Sequence, residues 1–240
     1  MSKHVVTATW DDVPHLSDQA KQDLLAGIPP YQRDARTKGV PQLGAGAIFP
    51  VPESDIIVPD FPVPHYWPRG YGLDVGWERT AVIWGAHDRD NDVAYLTGEH
   101  YRGQAEPVVH AQRIKAVGDW MPGFIDPAAN GRSQIDGQRL FVIYTQLGLK
   151  VQKADNAREA GIHEVWMRLS TGRLKVFKSC INWLTEFRIF GRDENGRIID
   201  EHKFHLMAAT RYLFLTGIQH WKVKPMPKPA AARPRTGVWS

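Results

Sequence analysis

The chain has 240 residues, of which 42% are hydrophobic and 23% charged, and its formal net charge is +4. This composition is ordinary for a soluble globular protein, and no apolar run is long enough to cross a membrane. Cys180 is the only cysteine, which excludes an internal disulfide, and the first residues lack the apolar core of a secretory signal, so we expect a reducing, cytoplasmic setting.

Residues 1–65 are predicted to be an appendage that does not fold alone. They contain one short helical stretch, for which Ser17 is a suitable N-cap and Gly27 a suitable stop. A proline-rich stretch typical of an irregular linker follows. The sequence therefore predicts a linker over 1–65, one folded domain over 66–217 and a tail over 218–240.

Three successive strands are predicted at the start of this domain, at residues 71–76, 80–88 and 93–101. Polar turn residues at 89–92 indicate that the second and third strands form a hairpin. The three strands should therefore be antiparallel.

A helix is predicted to open at Pro107, which suits a first helical turn, and to run to about Val117. The short apolar stretch 123–126 predicts a buried fourth strand. Because a helix separates it from the first three strands, this strand should pair in parallel.

Helices and strands alternate through the rest of the domain. Further helices are predicted around 140–147, 162–169, 180–187 and 204–215, and further strands at 149–155 and 173–177. Asn195-Gly196 predicts a hairpin turn between the last two helices. This order favours an α/β fold of the ribonuclease H-like kind, a mixed sheet with helices on both faces.

Two carboxylates interrupt apolar strands. Asp74 lies within the first predicted strand, and Asp126 ends the fourth strand directly before Pro127. A lone buried carboxylate has a real desolvation cost, so each needs a cation or hydrogen-bond donors. Because the two strands should be neighbours, both side chains could bind one hard cation such as Mg²⁺ or Mn²⁺. The alternative is that each acid only caps the turn that follows it.

Four polar residues are candidates for DNA contact. Arg132 and Ser133 follow Asp126 and could touch a phosphate, although a solvated loop explains them equally well. Lys153 and Arg158 could line a DNA groove, although scattered basic residues are more often ordinary surface.

The carboxyl-terminal segment carries the chain's basic character. From Gln219 onward there is no acidic residue, and the five basic residues are Lys222, Lys224, Lys228, Arg233 and Arg235. Such a proline-rich tail is often only a solubilising or disordered segment. The alternative is that it docks onto DNA or an acidic partner.

Eight stretches of the sequence, in the same order, resemble the large terminase subunits of tailed bacteriophages. They are WDDVPHL (10–16), RTKGVPQLGAGAIFPV (36–51), YGLDVGWERTAVIWGA (71–86), IDPAANGRSQIDG (125–137), KADNAREAGI (153–162), RLSTGRLKVF (168–177), RDENGRII (192–199) and HLMAATRYL (205–213). The resemblance extends over nearly the whole chain to about Leu215.

The resemblance implies a ribonuclease H-like endonuclease that cuts concatemeric double-stranded viral DNA at the initiation and termination of packaging. It implies two divalent ions, Mg²⁺ or Mn²⁺, with Asp74 and Asp126 as ligands. The implied partners are DNA, the portal protein, the small terminase subunit and an ATPase domain of the same subunit, whose phosphate loop GxxxxGK[ST] is absent here. Residues 1–65 resemble the end of that ATPase domain and the linker that follows it. The implied location is the host cytoplasm, transiently at the procapsid portal.

One departure concerns the third metal-binding carboxylate. The family has a segment resembling DHLMDATRY, in which Phe204 and Ala208 stand here at the acidic positions. Without the acid at 208 a second metal should bind weakly. Three explanations stay open: an inactivating substitution of Asp by Ala at 208, rerouting of the ligand role to Asp200, Glu201 or His205, and a naturally inactive nuclease.

Two functions of different classes follow. The first is a metal-dependent DNA endonuclease. The second is a docking module of the motor that holds DNA or the portal without cleavage, with the basic tail as its contact. A resolvase- or transposase-like enzyme on the same fold is a third reading, against which the terminase-like stretches before residue 65 argue.

Overall fold

Seven strands form one mixed sheet in the computed structural model, which describes residues 9–13, 16–28, 33, 37, 46–127 and 140–226. The strands are β1 Ile57–Val58, β2 Arg69–Asp74, β3 Thr80–Asp88, β4 Val93–Arg102, β5 Gly123–Ile125, β6 Val151–Lys153 and β7 Leu174–Phe177. Their order across the sheet is β1-β7-β4-β3-β2-β5-β6.

Strands β2, β3 and β4 form the antiparallel centre of the sheet. The turn from β3 to β4 places Asp92 in the left-handed region, with φ of 51°, which aspartate tolerates better than most residues. The other pairs, β5 with β2, β6 with β5, β7 with β4 and β1 with β7, are parallel. The predictions of three antiparallel strands and of a parallel fourth strand beside the first are therefore confirmed.

Helices cover both faces of the sheet, as the sequence predicted. The helices of the described residues are α1 Asp18–Ala26, α2 Glu53–Ile56, α3 Pro107–Gly118, α4 Leu140–Gln146, α5 Arg158–Ser170, α6 Ile181–Ile189 and α7 His205–Leu215, of which α1 has no buried residue. One buried cluster joins the sheet to α5, α6 and α7, and a second joins it to α3 and α4. The predicted turn at Asn195-Gly196 is present, with Arg192 and Ile198 paired across it.

Helix α7 lies directly on the middle of the sheet. A side chain at Gly72 of β2 would overlap the backbone carbonyl of Ala209, so the close approach requires glycine. This contact fixes α7 against the strand that ends at Asp74.

The stretch before β2 packs into the core, although it lies within the segment 1–65 for which the sequence predicted a linker. Glu53 of α2 accepts hydrogen bonds from Arg188 of α6, and β1 pairs with β7. The buried side chains of this stretch are Ile48, Phe49, Val51 and Ile56. The sequence did not predict their burial, because prolines separate the apolar residues and β1 has only two residues.

The first residues of the predicted tail also pack on the sheet. Trp221 is buried, and Lys222 exchanges backbone hydrogen bonds with Arg69 at the start of β2. The tail beyond Met226, including Lys228, Arg233 and Arg235, lies outside the described residues. No helix within the described part of the chain is long and apolar enough to cross a membrane.

Candidate functional site

Strands β2 and β5 bring the two predicted carboxylates to one edge of the sheet. Leu73 pairs with Ile125, and the residues that follow them are Asp74, the last residue of β2, and Asp126, directly after β5. The backbone N–H of Asp126 donates to the carbonyl of Leu73 at 3.0 Å. Because neighbouring strands lie about 4.8 Å apart and paired residues point to the same face, both carboxylates leave the sheet side by side.

Asp74 is held in a largely dry position, since its side chain is only 14% exposed. Burial raises the pKa of its carboxyl group, and the charge of Asp126 acts in the same direction. A hydrogen bond of 2.8 Å with Nδ1 of His205 and the charge of Arg211 oppose this rise in pKa. Burial outweighs these two neighbours, so the charged form of Asp74 is destabilised, and a bound cation would stabilise it.

Asp126 has its own partner on α7. The side chain of Tyr212 is hydrogen-bonded to it, and burial together with the charges of Asp74 and Asp126 raises the pKa of the Tyr212 phenol. The guanidinium of Arg211 lies 5.0 Å from the centre of the Tyr212 ring. The phenol thus stays neutral and orients the Asp126 carboxylate.

Position 208 lies between these two contacts. His205, Ala208 and Tyr212 are spaced i, i+3 and i+7 on α7, so they share one stripe of the helix. Because the first touches Asp74 and the last touches Asp126, a carboxylate at 208 would face the same pair. Ala208 also borders a cavity of about 40 Å³, whose other lining residues include Arg158, Ile162 and Arg211 and neither of the two acids.

Of the three proposed substitute ligands, one reaches the acids. Asp200 pairs with Lys203 at 2.6 Å, and Glu201 is hydrogen-bonded twice to Arg158, at 2.6 and 2.7 Å. His205 is the one in contact with Asp74. In the described ranges, no group of three or more His, Cys, Asp or Glu side chains is arranged to hold a metal ion.

The residues predicted to contact DNA do not lie together beside the two acids where the structure describes them. Lys153 pairs with Ile125 in the sheet and its ammonium lies 5.5 Å from the Phe141 ring, on the face opposite Asp126. Arg158 is occupied by Glu201. Arg132 and Ser133 lie outside the described residues.

Sequence reasoning missed a buried carboxylate behind the site. Glu186 of α6 accepts hydrogen bonds from the backbone N–H groups of Leu206 at 2.8 Å and Met207 at 3.0 Å. Burial raises its pKa to about 7, against the lowering effect of these bonds and of the Tyr101 hydroxyl. Glu186 therefore holds the amino-terminal end of α7, where His205 meets Asp74. Its spacing from α7 carries no motif that could have revealed the contact.

Comparison with known proteins identifies relatives of this architecture. Residues 72–216 match the family described as the terminase RNaseH-like domain. The large terminase subunit of Salmonella phage P22 is 29% identical over 224 residues, which cover 89% of this chain and 44% of that subunit. The chain thus spans less than half the length of this curated relative.

Solved structures agree in fold. The structure of the P22 large terminase nuclease domain matches with a TM-score of 0.66 and 28% identity, covering 75% of this chain and 96% of that one. The large terminase nuclease domain of bacteriophage SPP1 with bound Mn matches with a TM-score of 0.52 and 16% identity, covering 68% and 97%. At 16% identity the second match is a likeness of fold alone.

Proposed function

Because the chain belongs to the terminase RNaseH-like domain family, we propose that it is the endonuclease domain of a phage DNA-packaging motor. Its substrate in this proposal is concatemeric double-stranded viral DNA, cut when packaging starts and ends. The observation that carries the proposal is the pair Asp74 and Asp126, side by side at the ends of neighbouring strands. Ligand and catalytic sites typically occupy such strand ends in α/β sheets.

The residues present fit one divalent cation. The buried carboxylate of Asp74, with Asp126 beside it, is a suitable ligand pair for Mg²⁺ or Mn²⁺, which prefer oxygen. The bound Mn of the SPP1 nuclease domain supports the same choice here. Bound there, a divalent ion would supply Lewis-acid stabilisation of the charge that develops on a phosphodiester. The second ion of the expected pair lacks its carboxylate at Ala208.

The chain's own side chains position these ligands. His205 fixes one oxygen of Asp74, and Tyr212 fixes the carboxylate of Asp126. Outer contacts of this kind orient metal ligands and tune the affinity of the site. Helix α7 therefore supplies both orienting groups, and it would also supply the third ligand if position 208 were acidic.

The partners are part of the same proposal. An ATPase domain of the same subunit, the small terminase subunit, the portal protein and DNA are the components with which such a nuclease would work. The share of the P22 subunit that this chain covers, 44%, leaves room for an ATPase domain in a longer polypeptide. The proposed location is the host cytoplasm, with a transient stay at the procapsid portal.

The substitution Ala208→Asp tests the proposal. We expect Mn²⁺-dependent nicking of supercoiled plasmid to rise at least about tenfold, since changes to a metal site's supporting groups already alter activity by this factor. Ala208→Asn is the matched control, because it has the same size without the charge and should give no gain. Adding Asp74→Ala to the Ala208→Asp variant should abolish the gain.

A docking module without cleavage is the second candidate. It is favoured by the place where the tail is anchored, because Lys222 meets Arg69 at the start of β2, about 17 Å along the strand from Asp74. The first residues of the tail thus lie at the end of β2 that is away from the two acids. If the folded Ala208→Asp variant binds DNA but does not nick it in Mn²⁺, docking becomes the better account.

A further inference from the structure

A row of side chains crosses the sheet from the two acids towards β4. Asp74 pairs with Ala81, and Ala81 pairs with Tyr101, so the three side chains point to the same face. Ala81 itself is fully buried, and the Tyr101 ring lies 6.3 Å from the ring of His205, which contacts Asp74. The candidate site therefore continues beyond Asp74 to Tyr101.

The row ends in an arginine. The guanidinium of Arg79 lies 4.5 Å from the centre of the Tyr101 ring, and its side chain is partly buried. No carboxylate of the described ranges forms an ion pair with it, whereas Arg158 and Arg188 both do so with glutamates. Arg79 thus presents a positioned cation, and guanidinium geometry suits two hydrogen bonds to a phosphate.

Hydrogen bonds fix the backbone of the loop that carries Arg79. The Thr80 hydroxyl donates to the carbonyl of Gly76 at 3.0 Å, and the N–H of Gln104 donates to the carbonyl of Trp77 at 2.8 Å. On this fixed backbone the side chain of Trp77 is 59% exposed. A large apolar surface and a cation, both held in place beforehand, lose little entropy when a ligand binds.

We propose that Arg79 and Trp77 form a DNA-contacting surface beside the Asp74–Asp126 pair. Arg79 donates to a phosphate of the duplex, and Trp77 packs against the neighbouring sugars. Two carboxylates repel the phosphates of DNA, so a nearby cation is required to hold the strand at the site. This inference rests on the proposed function, since it names the residues that hold the DNA at that same site.

The test is binding of a fluorescently labelled DNA duplex in EDTA, measured by fluorescence anisotropy at several salt concentrations. For Arg79→Gln we expect the Kd to rise about tenfold and the slope of log Kd against log salt to fall by about one. Arg89→Gln is the matched control. It removes the same charge from an exposed residue at the other end of β3, about 30 Å away, and should change the Kd less than about twofold.

Trp77 provides the second arm. Trp77→Ala should weaken binding at every salt concentration without changing the salt slope, and Trp77→Phe should recover most of the loss. The inference is wrong if Arg79→Gln and Arg89→Gln bind DNA as tightly as the parent chain does. It is also wrong if none of the three binds DNA. If those variants bind alike while Ala208→Asp nicks plasmid in Mn²⁺, the surface is wrong and the nuclease proposal stands. If Ala208→Asp does not nick plasmid while Arg79→Gln weakens DNA binding as expected, the DNA-contacting surface stands and the nuclease proposal is wrong.

Discussion

Glu186, which binds the amino-terminal end of α7, makes the stability of the fold depend on pH. Its carboxylate accepts two backbone N–H groups at the start of that helix, yet burial raises its pKa to about 7 from 4.5. In the unfolded chain the group would titrate at its ordinary value. Between these two values the folded protein keeps a proton that the unfolded chain releases.

The sign of the resulting pH dependence follows from this difference. The free energy of unfolding should be highest below pH 4.5 as far as Glu186 is concerned, and should fall as the pH rises to about 7, by on the order of 3 kcal/mol in all. In Glu186→Gln this contribution is absent, so we expect a flatter profile. Urea denaturation of both proteins at pH 5, 6, 7 and 8 measures the free energy of unfolding at each pH. Glu194→Gln, which removes an exposed carboxylate, should keep the parent profile, and parallel profiles for all three would contradict the prediction.

At the scale of single residues, the sequence identified the acids but not their neighbours. Asp74 and Asp126 stand out because charged residues within apolar strands are costly unless something binds them. Glu186, Tyr212 and Arg79 have no such local signature. Their roles arise from contacts with α7, Asp126 and Tyr101, which only the folded chain brings together.

Among the secondary-structure elements, the contact of α7 with β2 decides the geometry of the site. A methyl group at Gly72 would overlap the carbonyl of Ala209, so Gly72→Ala must push α7 away from the sheet. We expect a loss of about 1–3 kcal/mol in the free energy of unfolding, the usual effect of overpacking. The His205–Asp74 contact should loosen at the same time.

Gly98→Ala is the matched control for this prediction. Gly98 also lies in a central strand, but the nearest atom to its added methyl group, on Trp84, is 3.8 Å away. Its stability should stay unchanged or increase by about 0.4–1 kcal/mol, because alanine restricts the unfolded chain. Chemical denaturation of both variants checks the difference, and equal stabilities would show that α7 can shift without loss.

The elements that the sequence predicted best are those with a strong local pattern. Turn residues predict the hairpin of β3 and β4, and Pro107 predicts the start of helix α3. β1 was missed because its two residues pair with β7, more than a hundred positions later in the chain. Long-range pairing of this kind leaves almost no periodicity in the sequence.

For the whole molecule, these long-range contacts enlarge the folded unit. Among the described residues before residue 66, four apolar side chains are buried, and each contributes about 1.5–3 kcal/mol of hydrophobic stabilisation. Their sum is comparable with the net stability of a typical domain, about 5–15 kcal/mol. We therefore propose that the folded domain begins near Gly46 and ends after Lys222, in place of the predicted 66–217.

Three shortened chains test these boundaries. A chain of residues 46–226 should unfold cooperatively in urea, with a midpoint close to that of the full chain. A chain of residues 66–217 lacks Ile56, β1 and the buried Trp221, and should lose its cooperative transition. Restoring only residues 218–226 should not rescue it, because the missing stretch before β2 carries the larger part of the lost burial. If the 66–217 chain unfolds at the same midpoint as the 46–226 chain, the first segment is a dispensable linker after all.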